Sequence, residues 1–290
     1  MLVYLLRLTW KKRKWSWFRN LVRTGIFNKT DLNYELQIIP TGLLDEYLKQ
    51  VPQNLETIFN TLKDAETSTK TFSFYTSVSA IASSRIEGEQ MEVDSYIKHK
   101  MLNIEYQPDL VEKPNDLYKA YVFAQKNKLT SANFLKAHAL LTKHLLLKSK
   151  QGAYRTGNMV VMEHKTKRIQ YEAALASDVK KLMGLLWKDI KQLKKAKLTT
   201  VEVFYFASFI HIVFVNIHPF EDGNGRAARL LEKWFISEKL GEKTWFMQTE
   251  LNYYTNVNDY YKNLNRLGMF YAELDYSKAL PFLLMLPKPF

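Results

Sequence analysis

The chain has no cysteine, which excludes disulfides, thiol nucleophiles and thiolate metal sites and agrees with a cytoplasmic protein. Glycine and proline are scarce, ten and eight residues in 290. They fall mostly at Pro40-Thr41-Gly42, Gly88, Pro108, Pro114, Gly152, Gly157, Pro219, Gly223, Gly225, Gly241 and Gly268, and these positions are read as element ends. No stretch approaches the roughly 20 uninterrupted apolar residues that cross a bilayer; even the most apolar, 201–217, contains Glu202, His211 and Asn216. A soluble protein is the expectation. The first six residues are apolar, but the run is too short for a signal-peptide core and its charges follow it, so no export signal is read.

Acidic residues are missing from the start of the chain. Arg7, Lys11, Lys12, Arg13, Lys14, Arg19, Arg23 and Lys29 all precede the first acid, Asp31, so eight of the thirteen net positive charges sit in one short arm. With Trp10, Trp15, Trp17 and Phe18 among them, residues 1–36 form a basic aromatic arm. Such a composition suits an anionic membrane surface or nucleic acid phosphates. A solvated basic helix whose rings pack onto the main body accounts for it as well and is the reading preferred. The remainder of the chain is only mildly basic.

What the chain does have is enough apolar residue, 47%, to bury a core. Leu43, Leu44, Tyr47, Leu48 and Val51, then Leu55, Ile58, Phe59 and Leu62, recur at three- and four-residue spacing, as in most of the sequence, and this predicts a mainly α fold. The lysine-rich stretch Lys188 to Lys197 reads as an exposed helix end. The clear β signal lies between Asn158 and Tyr171, where Met159 to Met162 and Arg168 to Tyr171 flank the polar turn 163–167; this predicts a β-hairpin. A two-stranded ribbon is marginal alone, so it must lean on helices, and its unpaired edge is of a kind that takes up an extended peptide.

Residues 201–217 are apolar on nearly every side, as in a helix buried on all faces. Pro219 disfavours helical geometry at His218, so the helix is expected to end there and present the imidazole at its mouth. Gly223-Asn224-Gly225 then leads into a second strong helical pattern from Arg226 to Leu240. Two glycines let the backbone fold into a nest of N–H groups, and the positive end of the following helix adds to its attraction for phosphate. Arg226 and Arg229 share a face in the first helical turn, where cations are unfavourable unless an anion is bound. Asp222 is a hard oxygen ligand at the lip of the same nest, suited to Mg²⁺ held between one carboxylate and phosphate oxygens. A base, a metal ligand and a phosphate cradle within twelve residues suit in-line attack of a hydroxyl on a phosphate.

The string from His218 to Arg229, His-Pro-Phe-Glu-Asp-Gly-Asn-Gly-Arg-Ala-Ala-Arg, closely resembles the signature of the Fic (Fido) family of AMP transferases. The resemblance implies a Fic-type helical bundle with a small β-hairpin flap, ATP and Mg²⁺ as cofactors, and transfer of AMP to a Ser, Thr or Tyr hydroxyl of a target protein. It implies His218 as general base and Asp222 as Mg²⁺ ligand. Gly223, Asn224 and Gly225 would form the phosphate cradle, with Asn224 and Gly225 at the α-phosphate, and Arg226 and Arg229 would meet the outer phosphates. Phe220 would anchor the loop inward. The run Gly152-Ala-Tyr-Arg155 looks like the entry to the flap, residues 158–171, on which the target docks; Tyr171-Glu-Ala-Ala174 follows where many relatives carry a pair of prolines.

Ser83-Ser-Arg-Ile-Glu87-Gly88 falls at the end of a helical stretch starting near Thr71, with Gly88 placed as C-cap. It resembles the family's inhibitory motif (a class II-like arrangement), which implies that Glu87 pairs with Arg229, mimics a phosphate oxygen pair and leaves ATP bound unproductively. The resulting division is the arm at 1–36, a helical region with the inhibitory motif at 37–125, and a catalytic domain with C-terminal helices at 126–290. Tyr253, Tyr254, Tyr260 and Tyr261 lie in a helical stretch after the core and are candidates for an adenine-stacking face, Tyr261 being the one assigned to the nucleotide. His138 and His144, on a helical stretch from Phe134 to Leu147, are assigned nothing. A short apolar helix and tail are expected after Gly268. Self-modification and a homodimer follow at family level. The alternatives are transfer of another nucleotide, removal of AMP with Glu87 orienting a water, and a nucleotide-sensing or protein-binding module with a closed site. A metal hydrolase built on His211, His218 and Asp222 fails because Pro219 breaks the helix between the last two.

Overall fold

The computed structural model describes residues 2–5 (backbone only), 35–69, 72–162 and 168–288. Of the expected arm at 1–36 only residues 2–5, 35 and 36 are described; the rest of it, Thr71 and the hairpin tip at 163–167 lie outside the described residues. The helices are α1 (Leu44–Gln50), α2 (Leu55–Thr61), α3 (Phe74–Ile86), α4 (Val93–Leu102), α5 (Pro108–Gln125), α6 (Ser131–Leu141), α7 (Ala176–Lys195), α8 (Thr200–Ile217), α9 (Asn224–Leu240), α10 (Thr249–Thr255), α11 (Val257–Asn265) and α12 (Leu280–Leu283). The strands are β1 (Leu2–Leu5), β2 (Met159–Met162) and β3 (Ile169–Glu172). A mainly helical bundle with a small sheet is the expected architecture.

Helix α8 is its axle. Thr199 and Glu202 close a capping box, the Thr199 hydroxyl accepting from the Glu202 N–H while the Glu202 carboxylate accepts from the Thr199 N–H, and this fixes the start. From Val203 to Phe214 every side chain is buried, so α8 is covered on all sides by α7, α9, α12, α1 and α2. Its length and composition would let it cross a bilayer, but it is mostly buried inside this bundle. The chain before α1 is tied down by one buried carboxylate: Asp189 on α7 accepts from the N–H groups of Gln37, Ile38 and Ile39 at 2.7, 2.8 and 2.9 Å. Helix α3 packs on α5, α10, α4 and α9. Between them the Lys233 ammonium spends its three donors on Glu250 (2.5 Å), the Met247 carbonyl (2.7 Å) and Ser79 (2.8 Å). Tyr121 donates to the other Glu250 oxygen at 2.7 Å, so the buried pair is fully hydrogen-bonded, as a buried charge must be.

Four expectations change here. The sheet has three strands, not two: β1 pairs antiparallel with β2 from Leu2↔Met162 to Leu5↔Met159, so β2 is central and its outer edge is covered. Pro114 is not an element end but lies inside α5, which Pro108 opens at its first turn. Helix α3 begins at Phe74 with Ser73 as N-cap, its hydroxyl accepting from the Thr76 N–H and so satisfying an orphan donor of the first turn. Helix α6 stops at Leu141, not Leu147, where Thr142 caps it and returns its hydroxyl to the His138 carbonyl. The tail after Gly268 holds two single 3₁₀ turns before the short α12, and α7 ends in lysines as expected.

Candidate active site

His218 terminates α8 in the left-handed region, φ 53° and ψ 60°. The proline that follows blocks a further helical turn, as the sequence predicts. Its Nδ1 lies 3.1 Å from the Val215 carbonyl. A carbonyl can only accept, so Nδ1 carries the proton and Nε2 keeps its lone pair. Burial pushes the imidazole down from 6.5 to about 4, opposed by that carbonyl; the ring is therefore neutral at physiological pH, as a base must be.

Gly223 is the N-cap of α9 at φ +77°. A β-carbon there would be 2.8 Å from Thr142 and 3.0 Å from Leu141, so both backbone and space require glycine. The first intrahelical bond of α9 runs from the Ala227 N–H to the Gly223 carbonyl, which leaves the N–H groups of Asn224, Gly225 and Arg226 unspent at the positive end of the helix. The Asn224 side chain does other work. It accepts from the Phe220 N–H and donates to the Phe220 carbonyl, both at 2.9 Å, so it closes the loop and only its backbone remains for a phosphate. Phe220 is buried, as the resemblance implies. Asp222 caps the Gly223 N–H at 2.5 Å, and burial raises its carboxyl, with Gly223 and Arg226 opposing.

The end of α3 reaches into this nest. Glu87 is the C-cap and Gly88, at φ +93°, follows it. The Gly88 N–H donates to the Arg85 carbonyl and the Glu89 N–H to the Ser84 carbonyl, the paired bonds of a Schellman turn. Gly88 is thus one residue beyond the cap position expected for it. The turn delivers two carboxylates. Glu87 accepts from Arg229 Nη2 at 2.8 Å, while Arg229 Nε donates to the Ser83 hydroxyl at 2.7 Å and Nη2 to the Ser83 carbonyl at 3.0 Å. The Glu87 oxygen also lies where a β-carbon on Gly225 would be, in direct collision with it, so the carboxylate rests on the first turn of α9. Burial pushes Glu87 up, but Arg229 and Arg226 outweigh it and hold the group below its ordinary range. Glu89, which the sequence reading missed, accepts from Arg226 Nη2 at 3.0 Å and pairs with Lys113 at 3.1 Å. Arg226 is buried, yet its Nε and Nη1 have no hydrogen-bond partner. A buried guanidinium with two idle donors is built for an anion.

Two further residues shape the loop without a signal in the sequence. His138 donates from Nε2 to the Asp222 carbonyl and accepts at Nδ1 from the Gly152 N–H, both at 3.0 Å. Its ring stacks on Phe220 with centroids 3.5 Å apart. Burial pushes it down to about 4, so it bridges the two loops as a neutral ring. Arg155, in the run read as the flap entry, is buried and ties the hairpin to the loop that follows α8. Its guanidinium donates to the carbonyls of His218 (2.7 Å), Gly157 (2.7 Å), Ala174 (2.5 Å) and Ile217 (3.3 Å). A fork of fixed donors is what this geometry needs.

The tyrosines divide. Tyr253 and Tyr260 are buried in the core and are not a stacking face; α11 turns Tyr260 inward against His211 and Phe282. Tyr254 donates no free face either, since its hydroxyl accepts from Arg85 at 2.9 Å and its ring carries the same guanidinium. Tyr261 is half-buried and donates to the Ile86 carbonyl at 3.1 Å, one residue before Glu87. It is the one tyrosine of the four that remains beside the nest.

Comparison with known proteins agrees with this arrangement. The Fic/DOC family model matches residues 128–236. No curated protein matches the chain significantly. Among solved structures, a Fic family protein from Desulfovibrio desulfuricans G20 superposes with a TM-score of 0.68 at 20% identity, covering 88% of this chain and 75% of that one. A Fic domain containing signaling protein from Bacteroides thetaiotaomicron gives 0.56 at 19%, covering 85% and 91%, and a segment of Fic-1 from C. elegans gives 0.55 at 16%, covering 84% and 69%. These similarities share the fold. The segment that matches the Fic/DOC family spans α6 to α9 and carries His218, the glycine turn at 223–225 and both arginines, so that part of the chain is similar to a family whose members are typically transferases that modify proteins with nucleotide.

Proposed function

We propose that this protein transfers the AMP part of ATP to a hydroxyl side chain of a target protein, and that Glu87 holds the resting chain in an unproductive state. The observation that carries this reading is the pair of buried arginines on the first turn of α9. Arg229 is held by a carboxylate that occupies the place of an anion, and Arg226 keeps two donors idle. A helix N-terminus that already hosts a carboxylate is suited to phosphate.

In this reading the α-phosphate lies on the N–H groups of Asn224 and Gly225, and the outer phosphates meet Arg226 and Arg229. His218 Nε2 takes the proton of the acceptor hydroxyl as its oxygen bonds to the α-phosphorus. The bond from that phosphorus to the bridging oxygen breaks, and pyrophosphate leaves with the electron pair. The arginines and the positive end of α9 offset the charge that develops. Asp222 has the hardness and position to hold Mg²⁺ together with phosphate oxygens, and the ion would neutralise charge on them. Tyr261 borders the nucleotide pocket. The acceptor segment docks on the 158–171 hairpin by strand addition; because β1 pairs along β2, it does so by exchanging with β1.

The test is label transfer by Glu87→Gly with Mg²⁺ and ATP. Label placed on the α-phosphorus is expected to become covalently attached to protein, the chain itself included, whereas γ-label is not. Attachment of γ-label would sink the proposal in favour of kinase-type chemistry.

A further inference from the structure

His211 lies in the middle of α8 with no exposure, surrounded by aromatic and aliphatic side chains, where an imidazole is costly unless both its nitrogens are bonded. Both are. Nδ1 is 2.9 Å from Glu232 Oε2 and Nε2 is 2.9 Å from the Tyr260 hydroxyl. Tyr260 in turn lies 3.2 Å from Arg229 Nη1. A guanidinium can only donate, so the Tyr260 oxygen accepts from Arg229. Its one hydrogen must then go to His211 Nε2, which is therefore an acceptor. Nδ1 carries the ring proton and donates to Glu232, whose carboxylate also accepts from the Tyr253 hydroxyl at 3.1 Å. Every proton from Arg229 through Tyr260 and His211 to Glu232 thus has one direction.

We infer that Tyr260 and, through it, His211 are positioning residues for Arg229, holding its guanidinium ready for the outer phosphates of the nucleotide. The inference rests on the AMP-transfer reading. The contacts of Arg229 differ in permanence under that reading. Glu87 must give way to ATP, whereas Tyr260 belongs to the buried body of α11 and stays. A neutral hydroxyl that already passes its hydrogen to His211 presents a lone pair to Arg229 and nothing else, so it holds Nη1 without competing for the negative charge of a phosphate. Chains of hydrogen bonds with fixed direction also strengthen one another in a low-dielectric interior.

The experiment measures equilibrium binding of ATP and of AMP to Glu87→Gly, and to that variant carrying Tyr260→Phe, His211→Phe, both together, or His211→Gln. AMP has no outer phosphates and serves as the internal control, and thermal melting checks that each variant is folded. Loss of one charge-assisted bond is expected to weaken ATP about tenfold and to leave AMP unchanged. His211→Phe is expected to match Tyr260→Phe, and the pair together to add nothing further. Glutamine at 211 can accept from the Tyr260 hydroxyl and is expected to restore ATP affinity. Tyr260→Phe keeps the ring and the packing, so it remains informative if His211→Phe unfolds. Unchanged ATP affinity in folded Tyr260→Phe, or an equal loss for ATP and AMP, would overturn the positioning role. Failure of the Glu87→Gly parent to bind either nucleotide would remove the AMP-transfer reading itself, and this inference with it.

Discussion

Glu87 and Arg229 are 142 residues apart in sequence and 2.8 Å apart in space, oxygen to nitrogen, in a contact that Ser83 completes from the turn before. The pair is almost fully buried, and removal of one partner from such a pair leaves an uncompensated charge, typically a loss of about 3–5 kcal/mol. Glu87→Gly is therefore expected to melt lower than the wild type without ligand and to regain stability with ATP. A thermal shift on adding ATP that is larger in the variant than in the wild type is the predicted outcome; equal shifts would mean that Glu87 and nucleotide do not compete.

Glu89 makes the equivalent contact with Arg226. The Schellman turn around Gly88 carries both carboxylates, so the two arginines are engaged by one local structure. Glu89→Gln keeps the size of the side chain and removes its charge. It is expected to tighten ATP binding several-fold, less than Glu87→Gly does because Glu89 is also paired with Lys113 and its hold on Arg226 is shared between two cations. Binding isotherms for the two single variants and the double variant decide this; a weaker affinity in Glu89→Gln would show that Glu89 serves the nucleotide instead.

The pH dependence has a definite sign. Burial lowers His218 to about 4, so the neutral, proton-accepting form persists well below the ordinary 6.5. Glu87 pushes this group up, and its removal moves the limb no higher. For Glu87→Gly, kcat/KM is expected to stay flat from pH 8 to about 6 and to fall only in more acidic solution. An acid limb near 6.5 would contradict the burial of the base. His138 is lowered likewise. A buried neutral histidine contributes stability that is fully present above the unfolded value and is lost as pH falls from 6.5 towards 4, by up to about 1.4 kcal/mol per pH unit. His138→Gln, which can still donate and accept, is expected to show a shallower loss of melting temperature across that window than the wild type.

Arg155 holds four carbonyls at the junction of α8, the catalytic loop and the flap. Arg155→Ala leaves them buried and unpaired, at a cost of about 3 kcal/mol or more. Lysine restores the charge but not the fork, so Arg155→Lys is expected to recover less than half of the loss. Urea midpoints of the three proteins measure this.

The loop from His218 to Gly225 was legible in the sequence because proline and glycine constrain the backbone locally: Pro219 forces the turn at His218, and Gly223 takes the conformation that opens α9. The helices and the hairpin strands were legible from periodicity. What escaped depends on contacts between distant segments. Nothing in the sequence around Glu89 names Arg226 as its partner, and nothing around His138 points to the Asp222 carbonyl 84 residues later. Residues 2–5 are apolar without a turn or an alternation that would pair them with β2. Tyr253 on α10 and Tyr260 on α11 follow a pattern compatible with either face of a helix, and it is packing against His211 of α8 and Phe282 of α12 that turns them inward. The Asn224 side chain was read with the phosphate site, but its amide matches the Phe220 backbone on both its groups, a fit visible only once the loop is closed.

The proposed function rests on His218 to drive AMP transfer and on Glu87 to restrain it. The most direct measurement is covalent incorporation of α-labelled ATP into the protein with Mg²⁺, comparing wild type, Glu87→Gly, and Glu87→Gly with His218→Ala. Strong label in Glu87→Gly alone is the predicted result. Equal label in wild type and Glu87→Gly would remove the restraint, and label that survives His218→Ala, or its absence from all three, would contradict the transfer chemistry.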